Sequence, residues 1–360
     1  MKIALEVSGM IGAPGYKTYV SGLLDGFERI GFKDFILVSS CWRELDVYKG
    51  FLNGFPTASL RMPQMFYIPA EVYGFRPLNR FYESLGVNLA HGLCSYVPAL
   101  KHIPTVLTLH YAGPWSWKTW RQRMYYEKAV ERSVKEAAQI IVPSAFSKKM
   151  AEAYLSVSRG KVNVIYHGVD MLPAPPRLQP GAYFLYVGPV SEHKNVFMLL
   201  DAMRIVVAKR NKISSLILGD CGSDFANKFL NARREMRLES NVSCIGPVDH
   251  EDMPAWYQRA IAVLCPSMTE GFSFPAVEAM AQGVPVIAIN AGALPEVVGA
   301  GGRIVDDAEG MAAAMLDLFD NLEAGKIASK LAFEKSQEYD WKTTAEQTLE
   351  VYSKVPRLPS

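Results

Sequence analysis

Two carboxylates, Glu270 and Glu278, stand eight residues apart around the run Gly271-Phe272-Ser273-Phe274-Pro275. An ionised carboxylate accepts hydrogen bonds from hydroxyl groups, and a glycine, having no Cβ, lets the chain approach a ligand closely. The run therefore suits a site in which Glu270 and the backbone amides of Gly271, Phe272 and Ser273 meet a polyhydroxylated ligand. Pro275 suits the start of a helix and Gly283 its end, so a helix is expected over 275–282, with Glu278 in its first turn. An acidic residue near a helix N-terminus is also favourable in itself, which is the plain alternative for Glu278.

Other candidates lie where strands are expected to end. Lys194, in Glu192-His193-Lys194-Asn195, follows a strand ending near Gly188, and Asn195 is placed to cap the next helix. His110 follows the apolar run 105–109. Gly12 and Gly15, in Gly12-Ala13-Pro14-Gly15, stand between a strand and a helix, where a simple tight turn would also use them. His91 ends another strand, with a structural role the more natural one. Ser144 is placed to cap the helix after it.

The elements that must position these residues alternate. Strands are expected over 3–7, 35–38, 87–89, 105–109, 140–142 and 162–165, with helices over 16–30, 117–138 and 145–155. Continuous apolar runs of this kind suit a parallel sheet covered on both faces. The pattern restarts after Met171-Leu172-Pro173-Ala174-Pro175-Pro176, a natural linker. New strands follow over 183–187, 215–218, 242–244, 261–264 and 285–289, with helices over 195–209, 225–238, 253–259, 275–282, 308–323 and 326–339. The expected fold is α/β, with two Rossmann-like, doubly wound domains facing across a cleft: 1–170, 171–338, and a C-terminal helix, 339–360, crossing back to the first. Ligands of such sheets bind beyond the carboxyl ends of the strands where strand order reverses.

Composition narrows the function classes. The chain has 360 residues, 49% hydrophobic, with 38 basic against 36 acidic residues. That length holds two cores. The near-neutral charge gives no case for nucleic acid as a partner. No apolar run reaches the roughly eighteen residues that cross a bilayer, and the early Lys2 and Glu6 argue against a secretory signal. Five scattered cysteines fit a reducing, cytoplasmic compartment and carry no zinc spacing.

The segment from Pro266 to Ala288, containing Glu270-Gly271-Phe272-Ser273-Phe274-Pro275-Ala276-Val277-Glu278, resembles the signature of the retaining family 4 glycosyltransferases of the GT-B fold, with mannosyltransferases as a close likeness. Gly292-Ala293-Leu294-Pro295-Glu296-Val297-Val298-Gly299 and Trp341-Lys342-Thr343-Thr344-Ala345-Glu346 resemble further runs of that family. The resemblance implies a hexosyltransferase that keeps the anomeric configuration and needs no divalent metal; no Asp-x-Asp motif is present. It implies a nucleoside diphosphate sugar as donor, GDP-mannose first and a UDP-hexose next, and a glycan or lipid-linked glycan hydroxyl as acceptor.

The resemblance also assigns roles. Lys194 would neutralise the diphosphate, Glu270 would orient the hexose, and His110 would lie beside the sugar. Gly12, Gly15, Gly271, Phe272 and Ser273 would approach the diphosphate or sugar through their backbone, and Glu278 would hold the ribose. His167-Gly168-Val169-Asp170 resembles a hinge-proximal segment. Two departures stand out: Gly188-Pro189-Val190-Ser191 lacks the arginine many relatives carry, for which a protonated His193 is one substitute, and Tyr111 replaces an aspartate after His110. Front-face substitution is the implied mechanism, with domain closure excluding water. A weakly catalytic or non-catalytic sugar-nucleotide or glycan-binding protein is the other class.

The acceptor side is expected in the first domain, around the aromatic segments 61–69 and 111–117. The helix over 117–138 carries Lys118, Arg121, Arg123, Lys128, Arg132 and Lys135, a basic surface that permits transient contact with the inner face of the cytoplasmic membrane. A bacterial polysaccharide or lipopolysaccharide assembly role fits this setting. Oligomeric state is left open.

Overall fold

The structure, a computed structural model, describes residues 1–8, 14–41, 54–62, 76–111, 120–155, 157–169 and 182–356. The linker expected at 171–176, Gly12, and most of the two aromatic segments fall outside these residues. The chain divides into two compact units: Met1–Gly168 together with Asp340–Ser360, and Val169–Tyr339.

The first unit contains, in chain order, β1 (Ile3–Glu6), α1 (Pro14–Arg29), β2 (Phe35–Cys41), β3 (Thr57–Met62), α2 (Arg76–Ser84), β4 (Leu89–Gly92), β5 (Thr105–Thr108), α3 (Trp120–Glu136), β6 (Gln139–Val142), α4 (Ala145–Tyr154) and β7 (Val162–Val164). The seven described strands form one parallel sheet in the order β3-β2-β1-β4-β5-β6-β7, so strand order reverses between β1 and β4. The central strands β1, β4 and β5 are buried along their whole length, as their apolar runs require. Ser144 caps α4, its side chain accepting from the Ser147 amide at 3.0 Å.

The C-terminal helix, α12 (Trp341–Ser353), belongs to this unit. Asp340 caps it by accepting from the Thr343 amide at 3.1 Å. Trp341 is fully buried, and three glycines make room for it. A Cβ on Gly22 would lie 1.8 Å from Trp341 Cε2, on Gly26 2.2 Å from the Trp341 carbonyl oxygen, and on Gly168 2.3 Å from its amide nitrogen. At the other end of α12, the Tyr352 hydroxyl meets His91 Nδ1 at 2.7 Å.

The second unit contains β8 (Tyr183–Val187), α5 (Phe197–Lys209), β9 (Ser215–Leu218), α6 (Asp224–Glu235), β10 (Val242–Gly246), α7 (Met253–Gln258), β11 (Ala260–Cys265), α8 (Phe274–Ala281), β12 (Val286–Ile289), α9 (Leu294–Val298), β13 (Gly302–Val305), α10 (Ala308–Asp320) and α11 (Leu322–Ser336). Its parallel sheet runs β10-β9-β8-β11-β12-β13, with the reversal between β8 and β11. Each unit is thus a Rossmann-like, doubly wound α/β domain.

The sequence pattern passes over β3, β13, α2 and α9. β3 and β13 are edge strands, only partly buried, so they lack the continuous apolar run that marks a central strand. The expected basic surface of α3 is also altered: Arg132 turns inward, bonding the Val97 carbonyl and, at 2.9 Å, Glu136. Among the described residues, no helix is long and apolar enough to cross a membrane.

Candidate active site

Lys194 and Glu270 follow the two strands that flank the reversal in the second sheet. β8 ends at Val187, the chain turns, and a short 3-10 turn, Glu192–Lys194, carries the lysine. β11 ends at Cys265 and leads into Glu270. Lys194 Nζ and Glu270 Oε1 are 2.6 Å apart, with 21% and 16% of the side chains exposed. This puts a cation and a hydroxyl acceptor side by side at the edge where ligands of such sheets bind.

The loop after Glu270 has an unusual backbone. Ser273 has φ +84°, the left-handed region that side chains rarely adopt, and it begins α8 without a side-chain capping bond. Phe272 is buried, its ring packed edge-on against Phe274 at 5.5 Å and Tyr339 at 5.6 Å. Its side chain anchors the loop, so a ligand contact made there comes from the backbone. A second loop holds this one from below. Gly292 has φ +61°, and a Cβ on it would lie 2.7 Å from the Glu270 nitrogen. The Ala293 amide donates to the Glu270 carbonyl at 3.0 Å.

Glu278 lies one position further along α8 than expected, just beyond its first turn. The helix begins at Phe274, with Pro275 second, and its first turn holds no acidic residue. Glu278 accepts from the Tyr257 hydroxyl at 2.7 Å through Oε2. Burial raises its pKa, opposed by the Tyr257 bond and by nearby His250. The helix stop is as expected: Gly283, at φ +65°, donates to the Met280 carbonyl at 2.9 Å.

Two neighbours of Lys194 differ from expectation. Asn195 does not cap α5 with its side chain; it adopts the left-handed conformation, φ +51°, and closes the 3-10 turn, its side chain reaching Met198. His193 has its pKa lowered by burial and by the adjacent Lys194 charge, against a smaller opposite effect of Glu270. Burial and the Lys194 charge both disfavour the protonated His193 that would stand in for the missing arginine.

In the first unit, His110 follows β5. Its Nε2 meets the Leu93 carbonyl at 2.8 Å, its Nδ1 lies 3.3 Å from His167 Nε2, and its amide donates to Ser95 Oγ at 3.3 Å. Ser95 has φ +69° and also accepts from the Tyr16 hydroxyl at 3.3 Å. The rings of Tyr16 and Tyr19 pack on His110 at 4.9 and 4.7 Å. Burial lowers its pKa to about 4. Gly15 sits inside the first turn of α1. His91 lies within β4, fully buried, bonded to Tyr352 and, at 2.8 Å, to Thr108, so it is part of the framework.

The structure thus brings Lys194, Glu270, Gly271, Phe272 and Ser273 to one sheet edge, with Glu278 on the helix beyond, and places His110 and Gly15 in the other unit. Sequence reasoning did not single out Tyr257 or Ser95, and it named Gly292 only within a longer run, without a role. Gly292 had a signal, a lone glycine ahead of a proline-started helix; Tyr257 and Ser95 had none. Among the described residues, no cluster of three or more His, Cys, Asp or Glu side chains is placed to hold a metal ion.

Comparison with known proteins agrees with this architecture. Residues 19–171 match the family model Glycosyltransferase Family 4, and residues 181–321 match Glycosyl transferases group 1. O-antigen chain mannosyltransferase B of Escherichia coli is 28% identical over 243 residues, 63% of this chain and 64% of that protein. O-antigen chain mannosyltransferase RfbU of Salmonella typhimurium is 26% identical over 256 residues, 71% of this chain and 69% of that protein. The chain thus spans about two thirds of the length of these curated relatives. The crystal structure of Anabaena HepE with UDP-glucose superposes with a TM-score of 0.75 at 19% identity, covering 98% of this chain and 99% of that one. With one family model over each half, the chain belongs to the family 4 (group 1) glycosyltransferases of the GT-B fold.

Proposed function

We propose that this protein is a retaining, metal-independent hexosyltransferase that moves a hexose from a nucleoside diphosphate sugar to a hydroxyl of a glycan or lipid-linked glycan. The observation that carries the reading is the Lys194–Glu270 pair, 2.6 Å apart at the switch point of the second sheet. In this reading Lys194 leaves Glu270 partly or wholly for the diphosphate, and Glu270 turns to the hexose hydroxyls. The Gly271, Phe272 and Ser273 backbone and the α8 N-terminus add partial positive charge where the leaving diphosphate gains negative charge. Glu278, steadied by Tyr257 through one oxygen, keeps its other oxygen for the ribose. His110 contacts the sugar, and Gly15 approaches the diphosphate.

The reaction forms the new glycosidic bond on the face from which the nucleotide leaves. A donor phosphate oxygen takes the acceptor proton, and Lys194 offsets the charge left on the diphosphate. A UDP-hexose is the first donor to consider and GDP-mannose the second. HepE was solved with UDP and with UDP-glucose, while two curated relatives carry mannosyltransferase names. A role in bacterial surface polysaccharide assembly fits the O-antigen relatives, and a peripheral position at the inner membrane face fits a lipid-linked acceptor.

The test is binding and turnover of the purified protein with UDP-glucose, UDP-N-acetylglucosamine, UDP, GDP-mannose and GDP, with EDTA present. Selective binding or slow hydrolysis of a UDP sugar supports the proposal in its first form. Selectivity for GDP-mannose keeps the reaction and exchanges the donor. No binding across the panel contradicts it.

A further inference from the structure

His110 and His167 stand side by side at the carboxyl end of the first sheet, and their partners fix which nitrogen of each carries hydrogen. His110 Nε2 lies 2.8 Å from the Leu93 carbonyl oxygen. A carbonyl only accepts, so Nε2 is the protonated nitrogen. With its pKa lowered to about 4 by burial, His110 is neutral near pH 7 and has one N–H only. Its Nδ1 is therefore a lone pair. His167 Nε2, 3.3 Å from that lone pair, must be the donor. His167 is buried, and its ring is set by Trp341, stacked on it at 6.0 Å with the planes 21° apart, and by Tyr19 at 4.5 Å. Trp341 opens the C-terminal helix and fills the space left by Gly22, Gly26 and Gly168. A line of contacts thus runs from that helix through His167 to His110.

We propose that His167 is a positioning residue for His110: its Nε2–H holds the His110 ring in the Nε2–H tautomer and in the orientation that offers Nδ1 as an acceptor to a hydroxyl of the bound sugar. The proposal rests on the reading of His110 as a sugar contact. The 3.3 Å separation is beyond the usual range for a strong bond, so a sugar hydroxyl displaces the His167 N–H at small cost. The shorter bond to Leu93 stays and keeps the tautomer. The resting contact spares the site from having to order the imidazole when the donor arrives.

Nitrogen-15 NMR of the full-length protein, labelled at the histidine rings, tests the contact without any substrate. His110 is expected to be protonated at Nε2, with Nδ1 an accepting imine nitrogen. In His167→Ala the Nδ1 signal should move toward the value of an unbonded imine, and in His167→Gln, which keeps an N–H donor, it should return most of the way. Slow hydrolysis of UDP-glucose or GDP-mannose gives the second readout. His167→Ala should lower kcat on the order of tenfold with KM nearly unchanged, and His167→Gln should recover most of the loss. Protonation of His110 at Nδ1 in the wild type, an unmoved Nδ1 signal in His167→Ala, or a His167→Gln variant as slow as the alanine would overturn the proposal. If His110→Ala leaves hydrolysis unchanged while the NMR result is as expected, the His167–His110 contact stands and the sugar-contact reading of His110 fails. Should His167→Ala not fold, the wild-type tautomer and the glutamine variant still decide the question.

Discussion

The Tyr257 hydroxyl donates to Glu278 Oε2 at 2.7 Å, tying α7 to α8 through the carboxylate read as the ribose ligand. Removing that hydroxyl leaves Glu278 free to rotate and removes the bond that favours its charged form. Tyr257→Phe should weaken nucleotide binding about two- to tenfold, the worth of one such bond, as measured by calorimetry with UDP and GDP. An affinity equal to wild type for both would show that the bond is only structural.

The raised pKa of Glu278 gives a pH dependence with a definite sign. Its proton binds more tightly in the folded protein than in a free glutamate, so Glu278 becomes neutral at a higher pH than an ordinary carboxyl group. Only the carboxylate accepts freely from the ribose hydroxyls. Nucleotide affinity should be full above the raised pKa and fall as the pH drops through it. The stability contribution runs the other way, being lost as the pH rises through the same value. Glu278→Gln should therefore bind nucleotide less tightly at neutral pH and show no acid limb from this group, without loss of thermal stability.

His110, with its pKa near 4, should stay neutral throughout the neutral range. A pH–rate profile should show no limb near the ordinary imidazole value that disappears in His110→Ala. Finding such a limb would mean that the bound state restores the His110 pKa.

Gly22 is expected to be intolerant of even one added carbon. The new Cβ would overlap the Trp341 indole, which has no space to retreat. Gly22→Ala should cost about 1–3 kcal/mol of unfolding free energy, and Trp341→Ala about 3–5 kcal/mol, by denaturant titration. A Gly22→Ala protein as stable as wild type would contradict the packing of α12 on α1.

Much of this architecture could be read from the chain before any coordinates. Central strands such as 183–187 and 261–264 announce themselves because both faces are covered and every residue is apolar. The ends of those strands located Lys194 and Glu270 separately. That the two side chains touch could not be read, because 76 residues separate them and only the strand order β8-β11 makes them neighbours. Glu278 was legible as a candidate, but its partner Tyr257 was not, since nothing about a tyrosine in a short helix points to a carboxylate elsewhere. The helix start was misjudged by one residue at Phe274, enough to move Glu278 out of the first turn. The edge strands β3 and β13 stayed hidden because half-exposed strands need no continuous apolar run. His193 looked like a spare cation by type, but its charge is set by burial and by Lys194, which only the folded structure reveals.

The central claim, that Lys194 and Glu270 form the donor site, is most directly tested by calorimetry of UDP-glucose and GDP-mannose binding to the wild type and to Lys194→Ala, with EDTA present. The account predicts that one donor binds the wild type and that Lys194→Ala binds it on the order of a hundredfold more weakly, with the fold intact by circular dichroism. Equal affinity of the two proteins for that donor would contradict it.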